Sequence, residues 1–299
     1  MDETNLLTES EYNEMSALFV QEFILPLESQ TEPVAILIGG QWGSGRSNLM
    51  NLSKQDFNDF SSVLVINEDE LRRIHSKRFQ AISVDQEDMS SFIEQNINQW
   101  KQDLITKAIQ QKVNVVIEDT LTENDISFQM IPSLIDAGYR VIIRIMAVNE
   151  SVSLLGIRER YEYQLEISGF GQSVNRKKHD LSYVGLIKSL HRIESECLFH
   201  EIELFNRHFK KIYHNKCSNH QLFNEPRGVM VLVHERDRLW TLEETIQYIN
   251  SFDKVLKKMD NRGADPYEVI HVYRLQKERI SKELLRLKGG SAKLLREVN

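Results

Sequence analysis

The chain has 299 residues, of which 41% are hydrophobic and 27% charged, and its formal net charge is −7. This composition is typical of a soluble globular protein, and no apolar run approaches the ~20 residues that a membrane-spanning helix needs. An acidic chain is a poor general nucleic-acid binder, because neutralising phosphates requires a basic surface. Two cysteines are too few for a disulfide framework, and the start is acidic and polar, so we expect a cytoplasmic protein.

Four short apolar runs have the character of strands buried on both faces, and polar helical segments separate them. This alternation predicts an α/β fold in which helices cover both faces of a parallel sheet. Ligands of such sheets bind beyond the carboxyl ends of the strands, where the first three runs end in polar motifs. The predicted strands are Val34–Ile38, Val63–Ile66, Val113–Ile117 and Val141–Val148.

Most of the remaining chain has a helical pattern. Short strands are also predicted at Glu201–Phe205 and Val229–Val233. The predicted helices before residue 200 are Glu11–Leu25, Ser90–Gln111, Asp125–Ala137, Leu154–Leu165 and Tyr183–Leu198.

The last part of the chain, Thr241–Asn299, is helical in pattern with a break at Asn261–Pro266. We place a soft domain boundary near Pro226. It divides the chain into an α/β domain at 1–225, which includes the N-terminal helix, and a mainly helical extension at 226–299.

A glycine-rich loop follows the first predicted strand, and a helical stretch begins after it. The loop matches the phosphate-loop spacing G-x-x-x-x-G-[KR]-S. Its glycines let backbone N–H groups surround an anion, and the following helix adds its positive end. We therefore predict that it binds ATP with Mg²⁺, the alternative being an ordinary turn. The residues concerned are Gly40, Gly43, Ser44, Gly45, Arg46 and Ser47, of which Ser47 is placed to hold the metal.

Arg46 stands where phosphate loops carry lysine, the cation that reaches the terminal phosphates. A guanidinium group still pairs with phosphate. Its planar fork, however, cannot follow a migrating phosphoryl group as a compact ammonium group can. This residue alone makes slow catalysis plausible.

Further motifs follow the loop in a fixed order, from about Val34 to Asn206, and together they resemble the zeta toxin family. The motifs are Ile38-Gly39-Gly40-Gln41-x-Gly43-Ser44-Gly45, Ile66-x-x-Asp69, Val116-Ile117-Glu118-x-Thr120, Ala137-Gly138-Tyr139, Met146-Ala147-Val148, Glu159-Arg160-Tyr161-Glu162 and His179-Asp180.

The resemblance implies a P-loop kinase fold and a function. Zeta toxins phosphorylate the sugar 3′-hydroxyl of UDP-N-acetylglucosamine with ATP and Mg²⁺, which blocks the supply of cell-wall precursors. A small helical antitoxin holds them inactive. The resemblance therefore implies a sugar-nucleotide substrate and an antitoxin partner for this chain.

The family's functional residues have counterparts here. Asp69 matches the catalytic base, although an aspartate at this place could instead cap the following helix. Glu118 and Thr120 match a pair whose polar groups face the sugar-nucleotide site, with an ordinary strand-end turn as the alternative. Arg160 matches an arginine that stabilises charge on the transferring phosphoryl group. His179, with the following Asp180, has either a structural or a lid-positioning role.

The chain also departs from the family pattern. Besides Arg46, Gln172 and Thr122 stand where arginines are expected. A family glutamate falls near Lys107, or Asp103 serves instead. Each cation lost from the transition state costs on the order of a hundredfold in rate.

Three functions therefore stay open. The chain is an active kinase of a sugar nucleotide, a catalytically degenerate nucleotide-binding protein that acts through a partner, or a kinase retuned to another acceptor. Metalloprotease and dinucleotide-binding motifs are absent from the sequence.

Overall fold

A computed structural model describes residues 8–57, 62–79, 86–169 and 171–279. Within these ranges the helices are α1 Glu9–Phe19, α2 Arg46–Ser53, α3 Glu68–Phe79, α4 Gln86–Gln111, α5 Ile126–Gln129, α6 Ile131–Asp136, α7 Glu150–Ser168, α8 Arg176–Ser195, α9 Gly228–Asp237, α10 Leu242–Asn261 and α11 at 266–279. The strands are β1 Val34–Gly39, β2 Val63–Asn67, β3 Asn114–Glu118, β4 Arg140–Met146, β5 Glu201–Phe205, β6 Lys211–Ser218 and β7 Gln221–Leu222.

The strands form one sheet in the order β2-β3-β1-β4-β5-β6-β7. The first five strands along the chain are parallel, as predicted, whereas β6 and β7 are antiparallel. β1 lies between β3 and β4. The strands β2 and β3 therefore lie on one side of β1, and β4 and the later strands lie on the other. Such a switch point opens a crevice at the carboxyl ends of the strands, which is where the glycine-rich loop begins.

The residues of β1 show why both faces of the sheet are covered. Side chains alternate between the faces of a strand, so Ala35 and Leu37 enter one apolar core while Ile36 and Ile38 enter another. All four are fully buried. Burying a Leu or Ile side chain contributes about 1.5–3 kcal/mol, which holds the strand at the centre of the fold.

Strand β6 escaped prediction because polar residues obscure its alternation. Its partner strand β5 contributes carboxylates, and ion pairs across the two strands add to the apolar contacts that Ile202 and Leu204 make with the core. Lys211 pairs with Glu203, and Lys216 Nζ lies 3.6 Å from Glu201 Oε1. The sheet is therefore mixed at this edge.

The prediction of a strand at Val229–Val233 is wrong, because these residues belong to helix α9. In a short, continuously apolar run, the spacing of hydrophobic residues cannot distinguish a strand from a buried helix. Glu194 fixes the start of the helix by accepting the backbone N–H of Gly228 at 2.9 Å. Leu232 then enters the larger core, where it is fully buried.

The C-terminal helices pack on α7. Phe252 of α10 and Val272 of α11 form one apolar cluster with Leu155 of α7. Arg262, which follows α10, donates to the buried Glu162 of α7 at 2.8 and 3.0 Å. These contacts join residues on either side of the predicted boundary near 226. The helical pattern predicted beyond residue 279 lies outside the described residues.

Candidate active site

The glycine-rich loop leaves β1 and enters α2, as the sequence predicts. Gly43 has a φ of 76° and Gly45 a φ of 98°, both in the left-handed region that favours glycine. A Cβ atom on Gly43 would lie 1.9 Å from the backbone oxygen of Ser153, so α7 is seated directly on the loop. The N–H of Gly40 donates to the carbonyl of Thr120 at 3.3 Å. The loop backbone is thus fixed by both β3 and α7.

Two polar atoms of the loop have no hydrogen-bond partner among the described residues. They are the hydroxyl oxygen of Ser44, which is fully buried, and Nη1 of Arg46, a residue that is only 7% exposed. A buried polar group left unpaired costs about 1–3 kcal/mol. Both can donate to an oxygen, and the N-terminus of α2 adds positive potential at the same place. The loop therefore fits a phosphate group.

Glu118 ends β3 beside the loop and is bonded on both sides. The Ser47 hydroxyl donates to Glu118 Oε1 at 3.2 Å, and the Asn67 amide donates to Oε2 at 2.8 Å. Arg46 Nε lies 3.5 Å from Oε1. Burial raises the pKa of the Glu118 carboxyl, and the charge of Arg46 opposes that shift. A hydroxyl next to a carboxylate fits Mg²⁺, which prefers oxygen ligands.

Asp69 lies in the first turn of α3, directly after β2. The side-chain oxygen of Asn67 accepts the backbone N–H of Asp69 at 2.7 Å. Arg160 of α7 donates through Nη1 to Asp69 Oδ2 at 3.2 Å and through Nη2 to Gln172. The side chains of Asp69 and Arg160 are 34% and 26% exposed. The fold thus brings the predicted base and the predicted arginine together on the open side of the site.

Thr120 follows the end of β3 but bonds to a neighbouring cluster. Its hydroxyl donates to Asp125, which also accepts the N–H of Thr122 at 2.7 Å. Burial, and next the charge of Asp119, raises the pKa of Asp125 to about 6. Asp119 in turn pairs with the buried Lys101. In this structure the Thr120 hydroxyl therefore serves a turn beside the site.

A buried polar network supports the loop from behind. The amide of Gln41 donates to Ser153 Oγ at 3.3 Å, and its oxygen accepts from Arg236 of α9 at 3.1 Å. Ser153 Oγ lies 2.8 Å from His179 Nε2, and His179 Nδ1 lies 2.9 Å from Asp180 Oδ1. His179 is fully buried. These contacts favour the structural role of the His-Asp pair.

The titration of His179 gives a test of that network. Burial lowers the pKa of His179, although Asp180 opposes the shift. Below about pH 6.5 the unfolded chain binds a proton at this histidine that the folded chain does not, so folded stability falls as the pH falls. We expect the stability of the wild type relative to His179→Gln to shrink between about pH 7.5 and 5.5. Urea unfolding at both pH values measures it, and a constant difference would contradict a neutral buried histidine.

A cavity of about 130 Å³ opens beside the loop, between the end of β4, α7 and the C-terminal helices. Its lining is mixed: Val152, Trp240 and Tyr248 are apolar or aromatic, whereas Glu159 and Arg207 are charged. A Cβ atom on Gly45 would lie 2.7 Å from Arg207 Nη1, so this arginine connects the cavity with the loop.

The sequence profile of the zeta toxin family matches residues 22–218. The match covers well over half of the chain and includes each predicted site residue. The chain belongs to the zeta toxin family.

Individual relatives in the zeta toxin family agree. Toxin zeta of Streptococcus pyogenes is 27% identical over 195 residues, which are 65% of this chain and 67% of that protein. Toxin PezT of Streptococcus pneumoniae is 23% identical over 210 residues, 70% of this chain and 82% of that protein.

Solved structures show the same fold. A structure of the PezAT toxin–antitoxin system of Streptococcus pneumoniae has a TM-score of 0.71 at 22% identity, covering 86% of this chain and 100% of that chain. The complex of AvrRxo1-ORF1 with ORF2, in a structure with ATP, has a TM-score of 0.53 at 10% identity, covering 89% and 83%. The predicted kinase-like fold class is confirmed. No helix among the described residues is long and apolar enough to cross a membrane.

The structure shows the contacts of several residues that depart from the zeta toxin pattern. Gln172, in place of an expected arginine, accepts a hydrogen bond from Arg160 and so holds the remaining cation. The two candidates for the family glutamate bond elsewhere. Asp103 accepts from Tyr12 of α1, and Lys107 donates to Gln110 at 3.2 Å.

Sequence reasoning missed two residues of the site. Asn67 is the last residue of β2 and lies in register with Glu118, so its position at the end of a predicted strand was an available signal. Lys101 is fully buried and pairs with Glu68 at 2.8 Å as well as with Asp119. A lysine on the apolar face of α4 could have been recognised from its spacing to Ile97.

Proposed function

We propose that this chain is an ATP-dependent kinase that transfers the γ-phosphoryl group to a sugar hydroxyl of a sugar nucleotide, with UDP-N-acetylglucosamine as the leading substrate. One observation carries the proposal: Arg160 Nη1 and Asp69 Oδ2 are 3.2 Å apart at the edge of the sheet where the phosphate loop begins. A carboxylate base and a cation for the phosphoryl group are what phosphoryl transfer needs beside such a loop. Membership in the zeta toxin family supports the same assignment.

The loop and the adjoining cavity support a nucleotide as phosphate donor. Within the part of the chain that the structure describes, Ser44 Oγ and Arg46 Nη1 have no hydrogen-bond partner, so both can donate to phosphate oxygens. The cavity that Arg207 lines combines aromatic side chains with polar and charged ones, and a nucleoside could use both kinds of contact. A bare phosphate ion would use the loop alone, so the cavity favours ATP.

Ser47 and Glu118 would hold Mg²⁺, which when bound neutralises charge on the phosphates. Asn67 supports this assignment because its 2.8 Å hydrogen bond orients the Glu118 carboxylate towards Ser47. Arg46 shares the same carboxylate at 3.5 Å. The Glu118 carboxylate therefore links the cation of the loop to the metal ligands.

Asp69 and Arg160 would act together in the transfer. Asp69 accepts the proton of the sugar hydroxyl as the hydroxyl oxygen bonds to the γ-phosphorus and the bond to the β–γ bridging oxygen breaks, which releases ADP. To do so, Asp69 gives up its bond to Arg160, and the guanidinium group turns to the phosphoryl oxygens. The ion pair of the free protein thus separates into a base and an anion-binding cation.

The same proposal assigns the chain to a toxin–antitoxin pair in the cytoplasm. The family pattern supports a small helical antitoxin as its partner. Co-purification of the chain with the product of an adjacent small open reading frame would test that pairing.

A nucleotide-binding protein that acts through a partner is the second candidate function. It is favoured by the neutral Gln172, which bonds to Arg160 where a second cation is expected, and by the contact of Arg46 with Glu118. Both reduce the positive charge available to a phosphoryl group in flight. An assay of phosphate transfer from ATP to a panel of UDP-sugars separates this binder from a kinase, including a kinase retuned to another acceptor.

Replacing Ser47 by alanine is expected to weaken ATP binding about tenfold or more when Mg²⁺ is present, and little without it. The reason is that the Ser47 hydroxyl would bind the metal rather than the nucleotide. Isothermal titration calorimetry with and without Mg²⁺ measures both affinities.

Ser53→Ala is the matched control, because the Ser53 hydroxyl lies in the same helix and donates to the Leu49 carbonyl at 2.8 Å. It should leave both affinities unchanged. A wild-type chain that binds no nucleotide at all would remove the basis of the proposed function.

A further inference from the structure

Trp42 occupies the third position of the phosphate loop and contacts both predicted catalytic arginines. The guanidinium carbon of Arg46 lies 5.1 Å from the centroid of the Trp42 ring, and that of Arg160 lies 5.8 Å from it. Both distances are within the range of a cation–π interaction. The ring itself packs against the apolar cluster of α7 and α11, formed by Leu154, Ile157 and Leu275.

The two arginines use their edges for other partners. Arg46 places Nε 3.5 Å from Glu118 and leaves Nη1 without a partner among the described residues, and Arg160 donates to Asp69 at 3.2 Å. A guanidinium group is planar, so its face can lie on an aromatic ring while its N–H edge binds oxygen. The contacts with the ring and with the carboxylates are therefore compatible.

We propose that Trp42 is a positioning residue that holds Arg46 and Arg160 through cation–π contacts with its ring, and that arginine at position 46 is matched to this tryptophan. The inference rests on the proposed function, because it takes the terminal phosphates of ATP as the ligand of both guanidinium groups. When phosphate oxygens displace Glu118 and Asp69 from the arginine edges, the ring contact is kept. Trp42 thus keeps both guanidinium groups in place while phosphate oxygens replace the two carboxylates as their hydrogen-bond partners.

The proposal accounts for arginine in place of the usual lysine. An ammonium group is a compact charge without a flat face, and it prefers hydration to stacking. Beside a tryptophan ring and a buried carboxylate, the guanidinium group is the cation that both neighbours can hold. Trp42 and Arg46 form one unit, so the effect of changing either should depend on the other.

The test is a double-substitution cycle in the full chain, with ATP affinity measured by calorimetry in the presence of Mg²⁺. Trp42→Leu keeps an apolar side chain against the cluster but removes the ring, and it should weaken ATP binding about two- to thirtyfold. Trp42→Phe keeps a ring and should stay within about threefold of the wild type. In an Arg46→Lys background, the effect of Trp42→Leu should be at least about threefold smaller.

Tyr163→Leu provides the matched control. Tyr163 lies on α7 and has its own cation partner, with Lys258 Nζ 5.5 Å from the ring centroid, away from the loop. Its replacement should not change ATP affinity. If ATP binds the wild type and Trp42→Leu weakens it equally with and without the Arg46→Lys substitution, or not at all, the inference is overturned and the proposed function stands. A wild type that binds no ATP removes both.

Discussion

Replacing Asp69 by asparagine should cut phosphotransfer about a hundredfold or more while leaving the fold nearly untouched. Asparagine has the size of aspartate. It also retains an oxygen acceptor for Arg160, which donates to Asp69 at 3.2 Å in the wild-type chain. The cap of α3 is also kept, because Asn67, and not Asp69, accepts a backbone N–H of its first turn, at 2.7 Å. What asparagine lacks is the basicity that accepts the sugar hydroxyl proton. A base acts mainly as the hydroxyl attacks, so turnover should fall more than ligand affinity.

Melting temperature, UDP-sugar affinity and turnover should be compared in one preparation of this variant. A large loss of melting temperature would show that Asp69 is a structural residue. Unchanged turnover would place the base elsewhere, and the correspondence with the zeta toxin family would fail at its most important position.

Replacing Arg160 by lysine should lower turnover by on the order of a hundredfold, although the charge is kept. Arg160 spans two partners, with Nη1 on Asp69 and Nη2 on Gln172. A lysine ammonium group cannot reproduce that fork. Because Gln172 stands where a second arginine is expected, no cation at position 172 offsets the loss of Arg160.

Arg158→Lys is the matched control for this prediction. Arg158 lies two residues earlier on the same helix. Its replacement should leave turnover within about threefold of the wild type, the usual scale of a change away from the reacting atoms. Equal losses in the two variants would show that Arg160 does not contact the phosphoryl group.

The fold could be predicted largely because the runs that form β1, β2 and β3 are mainly apolar and end in polar motifs. Val34–Ile38 and Val63–Ile66 form β1 and β2 with shifts of at most one residue. The glycine-rich loop followed from local spacing, and the roles of Asp69 and Arg160 were implied by the family resemblance alone, whereas their pairing was not predicted. No local pattern links residues that are 91 positions apart.

Other features could not be predicted because they depend on tertiary partners. Val229–Val233 became a helix because Glu194, distant in sequence, caps its start. The bond from Thr120 to Asp125 and the burial of Lys101 likewise exist only once the strands are assembled. The contacts between the Trp42 ring and the two arginines could not be predicted from the sequence, since an aromatic residue in a loop usually lies on the surface or packs against the core.

The close contact between α7 and the glycine-rich loop limits which residues positions 43 and 156 can accept. A Cβ atom on Gly156 of α7 would lie 2.4 Å from the backbone oxygen of Gly43, so two backbones touch where both residues lack side chains. A glycine inside a helix costs about 1 kcal/mol relative to alanine, a cost that the contact offsets. Any side chain at position 156 would push the helix that carries Arg160 away from the loop. Positions 43 and 156 should therefore vary together among relatives that keep this arginine, and a relative that has lost both glycines should carry its phosphoryl-binding cation on another element.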